Sequence, residues 1–306
     1  MKSRSFILTL LAMIAFASNS LLCRAALKQT SIDPATFTFI RILSGAVMLY
    51  FVLRSRKKWI VDRTALPLVD GSSADPSHVT RHSSLRDSDW ISAIALFIYA
   101  AGFSFAYVHL SAGTGALLLF GAVQATMIFG GFRKGERLDA IQIAGLMVAM
   151  VGLVVLVCPG ILAPPLISSI FMLASGVAWG IYSLRGKDAR NAIAATTGNF
   201  LRAVPFAVLG SVAAVRQIHF DSLGTFYAVI SGAITSGLGY VIWYSALPGL
   251  KAITAATVQL SVPVLAASGG ILLLGESITM RYVIASIAVL GGILLVVLEK
   301  RWGRQG

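Results

Sequence analysis

Acidic side chains are scarce in this sequence: twelve Asp and Glu stand among 306 residues, against 25 Lys and Arg. Charged residues of both signs make up only 12%, about half of what a soluble domain carries, which excludes a water-exposed globular surface. All twelve carboxylates fall outside the long apolar stretches or at their ends. A buried Asp or Glu proton carrier, the usual device of a proton-driven pump, is therefore missing, and a facilitator or exchanger gains weight. An enzyme is excluded on similar grounds, because paired carboxylates, a nucleophile with its base, and metal ligands are all lacking at membrane depth. No cofactor is implied. Cysteine is nearly absent: Cys23 and Cys158 both lie near span ends, and each is expected to remain a free thiol. Of the four histidines, His78 and His82 are spaced like a metal pair but have no third ligand and no helix to hold them, so no metal site is expected. His109 reads as an interfacial residue at a helix end.

Apolar length, by contrast, is abundant. Hydrophobic residues are 57% of the chain and the mean hydropathy is +0.83. Stretches long enough to cross a bilayer, about 20 residues each, occur at 5–26, 34–53, 90–110, 112–131, 138–158, 165–184, 192–215, 222–244, 252–274 and 280–298. With ten spans and a cytoplasmic N-terminus, nineteen basic residues fall on inside segments and only Lys28, Arg216 and Arg281 on outside ones. That bias predicts both termini in the cytoplasm. The net charge of +13 then reads as topology and attraction to lipid headgroups, with the bilayer as partner and no nucleic acid. Lys2, Arg4 and the Ala15, Ala17 spacing imitate a cleavable signal, but removing the first span would leave nine, so it is expected to be a retained helix.

Two stretches 140 residues apart repeat one sparse pattern. Ala106, Leu110, Ala112, Thr114, Ala116, Gly135, Glu136 and Gly152 recur as Ala246, Leu250, Ala252, Thr254, Ala256, Gly275, Glu276 and Gly292. The expected fold is therefore an all-α polytopic membrane protein of ten transmembrane helices, duplicated as 5–158 and 165–298, with a polar cytoplasmic insertion at 59–89. Five spans per copy is an odd number, so the second copy is inverted relative to the first. Inverted repeats enclose a site near the bilayer centre.

Polar and aromatic residues at depth are the candidates for that site. Arg41 lies about 10 Å into the second span at 1.5 Å per residue, and Arg202 about ten residues into the equivalent seventh span; each is a candidate gate or anion contact, with snorkelling to the nearer interface as the alternative. Tyr99, Phe103 and Tyr107 share one face of the third span. Asn19 interrupts the apolar first span, Trp179 and Tyr182 lie on the sixth, and Tyr240 and Tyr244 on the eighth. Gln259 is a long amide in the ninth span, and Pro263, four residues on, frees a backbone carbonyl there. Asn19, Trp179, Tyr182, Tyr240, Tyr244, Gln259 and Pro263 are the expected substrate-cavity residues, with helix packing as the competing reading.

Taken in order, Phe16 to Ser20, Arg41, Gly135 and Glu136, Trp179 and Gly180, Trp243 to Leu247, Pro263, and Gly275 and Glu276 resemble the EamA-type branch of the drug/metabolite transporter superfamily. Phe16 and Ala17 stand where that family often has Trp and Gly, and Val123 where it often has Pro. The resemblance implies a transporter in a bacterial inner (plasma) membrane that moves a small organic metabolite such as an amino acid, often as efflux. Related branches carry nucleotide sugars and phosphorylated sugars, which stand as an alternative beside a non-transporting membrane component. A second copy of the chain is a candidate partner.

Overall fold

The computed structural model describes residues 3–64, 88–133, 140–158, 163–187, 189, 191–246, 258–259 and 261–302. Most of the 59–89 insertion, with His78 and His82, lies outside the described residues, as do Gly135, Glu136, Ala252, Thr254 and Ala256 of the repeat.

The described chain forms ten helical spans: α1 Ser3–Gln29, α2 Pro34–Thr64, α3 Trp90–Tyr107, α4 Ala112–Arg133, α5 Ala140–Val157, α6 Leu166–Lys187, α7 Ala192–Ala213, α8 Ser222–Ala246, α9 Ser261–Leu274 and α10 Met280–Trp302. A helix answers each long apolar run because a bilayer offers the backbone no hydrogen-bond partners, so the segment must satisfy its own N–H and C=O groups. Seven of the ten are long and apolar enough to cross a membrane on those grounds alone, and three shorter apolar helices occupy 140–156, 261–274 and 280–295. The second helix outruns its expected end at residue 53 because Arg54 and the basic residues after it continue the helix beyond the apolar stretch.

Several of the scarce carboxylates stand at helix starts. Asp33 accepts the N–H groups of Ala35 and Thr36 at 2.9 Å, Asp89 that of Ser92 at 2.9 Å, and Asp221 that of Gly224 at 2.7 Å. Asn191 does the same for α7 through Ala194, at 3.1 Å. These acceptors satisfy helix N–H groups that have no intrahelical partner.

The eighth span departs from a regular α-helix. Its middle, Ser231–Leu238, is a π-helix between the α-helical Ser222–Ile230 and Gly239–Ala246. Small residues dominate that stretch, and the Thr235 hydroxyl donates to the Ser231 carbonyl at 2.9 Å, competing with the normal ladder.

Helix packing repeats the internal duplication. The larger helix contacts map onto one another when each helix is exchanged for the one five places along: α2/α7, α4/α9 and α5/α10 pair across the halves, α3/α6 has its counterpart in α8/α1, α4/α6 in α9/α1, and α2/α8 in α7/α3. Equivalent glycines mark the pseudo-symmetry. A Cβ added to Gly152 would stand 2.8 Å from the Ala288 Cβ, and one added to Gly292 would stand 2.7 Å from the Ala149 nitrogen, so α5 and α10 touch through reciprocal backbone approaches. With five helices in each half, successive membrane crossings would leave the second half running opposite to the first. The α5/α10 pair is peripheral, and Met147, Val151 and Ile287 on it are exposed. Aromatic and polar residues fill the interior between the other helices.

Candidate functional site

The interior is organised around two polar side chains from the first half. Asn19 on α1 is 4% exposed. Its Oδ1 accepts from the hydroxyls of Ser231 and Thr235, and its Nδ2 donates to Ser236 Oγ at 3.3 Å. All three partners belong to the π-helical stretch of α8, so the widened turn is one place where the two halves exchange hydrogen bonds. Irregular turns of this kind occur frequently at functional positions.

Arg41 on α2 is 2% exposed and reaches the same place. Its Nη2 donates to the Tyr99 hydroxyl at 2.9 Å and its Nε to Ser236 Oγ at 3.4 Å. The guanidinium carbon lies 4.7 Å from the Phe103 ring centre and 5.2 Å from that of Tyr99, a cation–π arrangement. Its remaining nitrogen, Nη1, is buried without an acceptor, and no carboxylate among the described residues pairs with it. Gly232 makes the α2/α8 crossing possible: a Cβ there would collide with Ser44 Oγ and the Arg41 carbonyl.

Aromatic rings continue the lining. Tyr107, Phe103, Tyr99, Trp179 and Tyr182 form a ladder with successive centroid distances of 4.7, 5.6, 4.8 and 5.3 Å, and Tyr240 joins it 5.0 Å from Trp179. Phe16, Asn19, Tyr99, Phe103, Trp179 and Tyr240 are among the walls of a cavity of about 20 Å³, room for roughly one water molecule. The Tyr240 hydroxyl is buried without a partner.

Of the residues singled out from the sequence, the structure gathers Asn19, Arg41, Trp179, Tyr182 and Tyr240 into one cluster. Tyr244 lies one turn further along α8, its hydroxyl against Gly186 of α6. Gln259 is half-buried and stands outside the cavity walls. Pro263 is turned toward α10, where its carbonyl accepts from the Tyr282 hydroxyl at 3.5 Å. Arg202 is bonded to Ser88 Oγ and lies 5.8 Å from the Trp90 ring, at the end of the bundle that also holds Asp89 and Arg185, paired at 3.0 Å. Both cysteines are free, Cys23 buried and Cys158 exposed.

The opposite end carries a group that sequence reasoning missed. Arg24 Nε meets Glu276 Oε1 at 3.0 Å, and its Nη1 donates to the carbonyls of Tyr107 and Val108 at 2.9 and 2.8 Å. Glu276 Oε2 accepts the Ala112 N–H at 2.8 Å. One ion pair thus ties α1, the end of α3 and the start of α4 to the α9–α10 connection of the other half. It borders a pocket of about 340 Å³ shared with His109, Thr114, Thr279 and Tyr282, while the Tyr107 ring begins the ladder on its inner side. A charged residue inside one span and another at the end of a span in the other half were the available signal.

Among known proteins, the model of the EamA-like transporter family matches residues 3–158 and 166–298. An uncharacterized protein of Pseudomonas aeruginosa is 51% identical over 98% of this chain and 96% of its own length. An uncharacterized transporter of Clostridium kluyveri is 25% identical over 66% of this chain and 68% of its own, and a probable amino-acid metabolite efflux pump of Escherichia coli is 25% identical over 68% and 76%. One crystal structure shares the fold, with a TM-score of 0.61 at 17% identity over 99% of this chain and all of that one.

Proposed function

Because this chain belongs to the EamA-like transporter family, we propose that it is an exporter or facilitator of small organic metabolites such as amino acids, working by alternating access between its two halves. It is an integral membrane transporter; the substrate class, the direction and the mechanism are the proposal. The observation that carries it is the Asn19–Arg41 cluster, where side chains of α1, α2 and α3 meet α6 and the π-helical turn of α8 around a central cavity. In this conformation the cavity holds little more than a water molecule, so cargo enters only when the halves separate. The Arg24–Glu276 pair, which joins both halves at one end, would part on that side as the bundle rocks. Charge bias supports placing both termini in the cytoplasm and the Arg24–Glu276 pair at the outer face of a bacterial inner membrane.

Uptake of labelled amino acids and small metabolites into proteoliposomes, with and without an imposed pH gradient, tests the reading. Saturable equilibration of one solute independent of the gradient is expected, since no carboxylate lies in the described chamber. Accumulation that requires the gradient would replace the facilitator with a proton-coupled carrier, and no flux of any solute would remove the transport reading.

A further inference from the structure

The interior encloses a positive charge with no carboxylate beside it among the described residues. Arg41 is 2% exposed, its Nε and Nη2 are engaged by Ser236 and Tyr99, and Nη1 has no acceptor. Across the cluster the Tyr240 hydroxyl, 3% exposed and a wall of the cavity, is also unpartnered. Buried donors in folded proteins are nearly always satisfied, and a buried guanidinium without a counter-ion is among the costliest arrangements a membrane interior can hold. Two unmet donors, Tyr240 in the cavity wall and Arg41 directly behind the wall residues Tyr99 and Phe103, call for a ligand that brings acceptors and one negative charge. Within the transport reading given above, we propose that the cargo carries a single carboxylate, which accepts from Arg41 Nη1 and from the Tyr240 hydroxyl while its apolar part lies against Phe16 and Trp179.

Charge balance narrows the class. One carboxylate neutralises one guanidinium. A dianionic phosphate leaves an uncompensated negative charge in the same low-dielectric enclosure: among the described residues Arg24 is paired with Glu276 at one end and Arg202 is held by Ser88 at the other. The site thus admits monocarboxylates and refuses phosphorylated metabolites. An α-amino acid supplies the same carboxylate, but its ammonium group restores one positive charge, so the site favours a monoanion over a zwitterion.

The test is a titration of the purified full-length protein, read by intrinsic tryptophan fluorescence, with monocarboxylates from acetate to 3-phenylpropionate, each beside its neutral primary amide, and with phenyl phosphate. At least one acid should bind saturably and tenfold or more tighter than its amide, with phenyl phosphate no better than the amides. Arg41→Gln should abolish that preference. Tyr240→Phe, which keeps the ring and removes one donor, should weaken the acid severalfold and leave the amide unchanged. Failure of every acid to outbind its amide overturns the proposal, and so does an undiminished preference in Tyr240→Phe together with a folded Arg41→Gln. Tracer exchange in proteoliposomes on the same panel separates the two readings. Equal flux of acids and amides removes the carboxylate site and keeps transport, whereas acid-selective binding without flux keeps the site and removes transport.

Discussion

Asp89 starts α3 and also fastens α3 to two other helices. Its carboxylate accepts the Ser92 N–H at 2.9 Å and the Ser92 hydroxyl at 2.6 Å, its own N–H donates to Asn199 Oδ1 at 3.1 Å, and Arg185 reaches it from α6. The cap accounts for more stability than the ion pair, because both charged side chains are about 40% exposed and exposed pairs contribute little. Asp89→Ala should therefore cost about 1 kcal/mol, seen as a lower Tm, and Arg185→Ala clearly less. Burial works to raise the carboxyls of Asp33 and Asp89, but the hydrogen bonds they accept, from Thr36, His219 and Ala35 in one case and from Ser92 and Arg185 in the other, hold both below the usual range. For a depressed carboxyl, the added stability is complete above the unfolded value, near pH 3.9, and is lost as pH falls through the folded one. Tm should be level from pH 7 to about pH 5 and then decline, and Asp33→Asn should flatten that decline. Asn19, Arg41, Trp179 and Tyr240 were legible in the sequence because each is an amide, a cation or a polar-edged ring inside an apolar run. Ser231 and Ser236 were not, since hydroxyls in membrane helices commonly satisfy themselves on the preceding turn and give no sign of where they point. Gln259, half-buried, and Pro263, buried against α10, stand outside the walls of the small cavity, and their depth along a span could be counted while the neighbour each one faces could not.

At the level of single helices, α8 decides how the halves meet. The expected regular span from 222 to 244 is continuous, and its apolar run made it visible, yet nothing in hydropathy marks the widened turn at Ser231–Leu238. That turn presents Ser231, Thr235 and Ser236 to Asn19 and Arg41, and Gly232 lets it lie directly on the α2 backbone. Gly232→Ala places a methyl group against Ser44 Oγ, which can rotate away, and the Arg41 carbonyl, which cannot retreat without moving a helix. Overpacking of this sort costs about 1 to 3 kcal/mol. The variant should melt measurably lower and lose substrate binding, whereas Gly291→Ala on α10, where an added Cβ meets nothing within 4 Å, should match the wild type in both.

For the molecule as a whole, eight matched positions in the sequence point to a duplication, and the larger helix contacts can be exchanged five places along. The Arg24–Glu276 link was not readable, because its partners are 252 residues apart and only the packed bundle brings them together. Cys23 is adjacent to Arg24 and 0% exposed, which makes it a native reporter of whether that end is shut. In a Cys158→Ser background, a membrane-impermeant maleimide should leave Cys23 unmodified. Adding Glu276→Gln, which discharges the pair and leaves Arg24 without its counter-ion, should make Cys23 reactive; continued protection would mean that packing alone closes that end.

The solitary charge of Arg41 has a further consequence once a membrane potential is present. On the carboxylate proposal, the empty carrier presents a buried cation, and loading with a monoanion would leave its centre neutral. Only the empty step then responds to voltage, and an inside-negative potential draws the empty site to face the cytoplasm, ready to load. With the proposed monoanionic cargo each cycle would export one negative charge, and the field would supply about 2.3 kcal/mol per 100 mV; a zwitterionic amino acid would gain nothing from it. A potassium-diffusion potential across proteoliposomes should drive a carboxylate toward the positive side with no pH gradient at all, so that the cell's resting voltage by itself would power efflux.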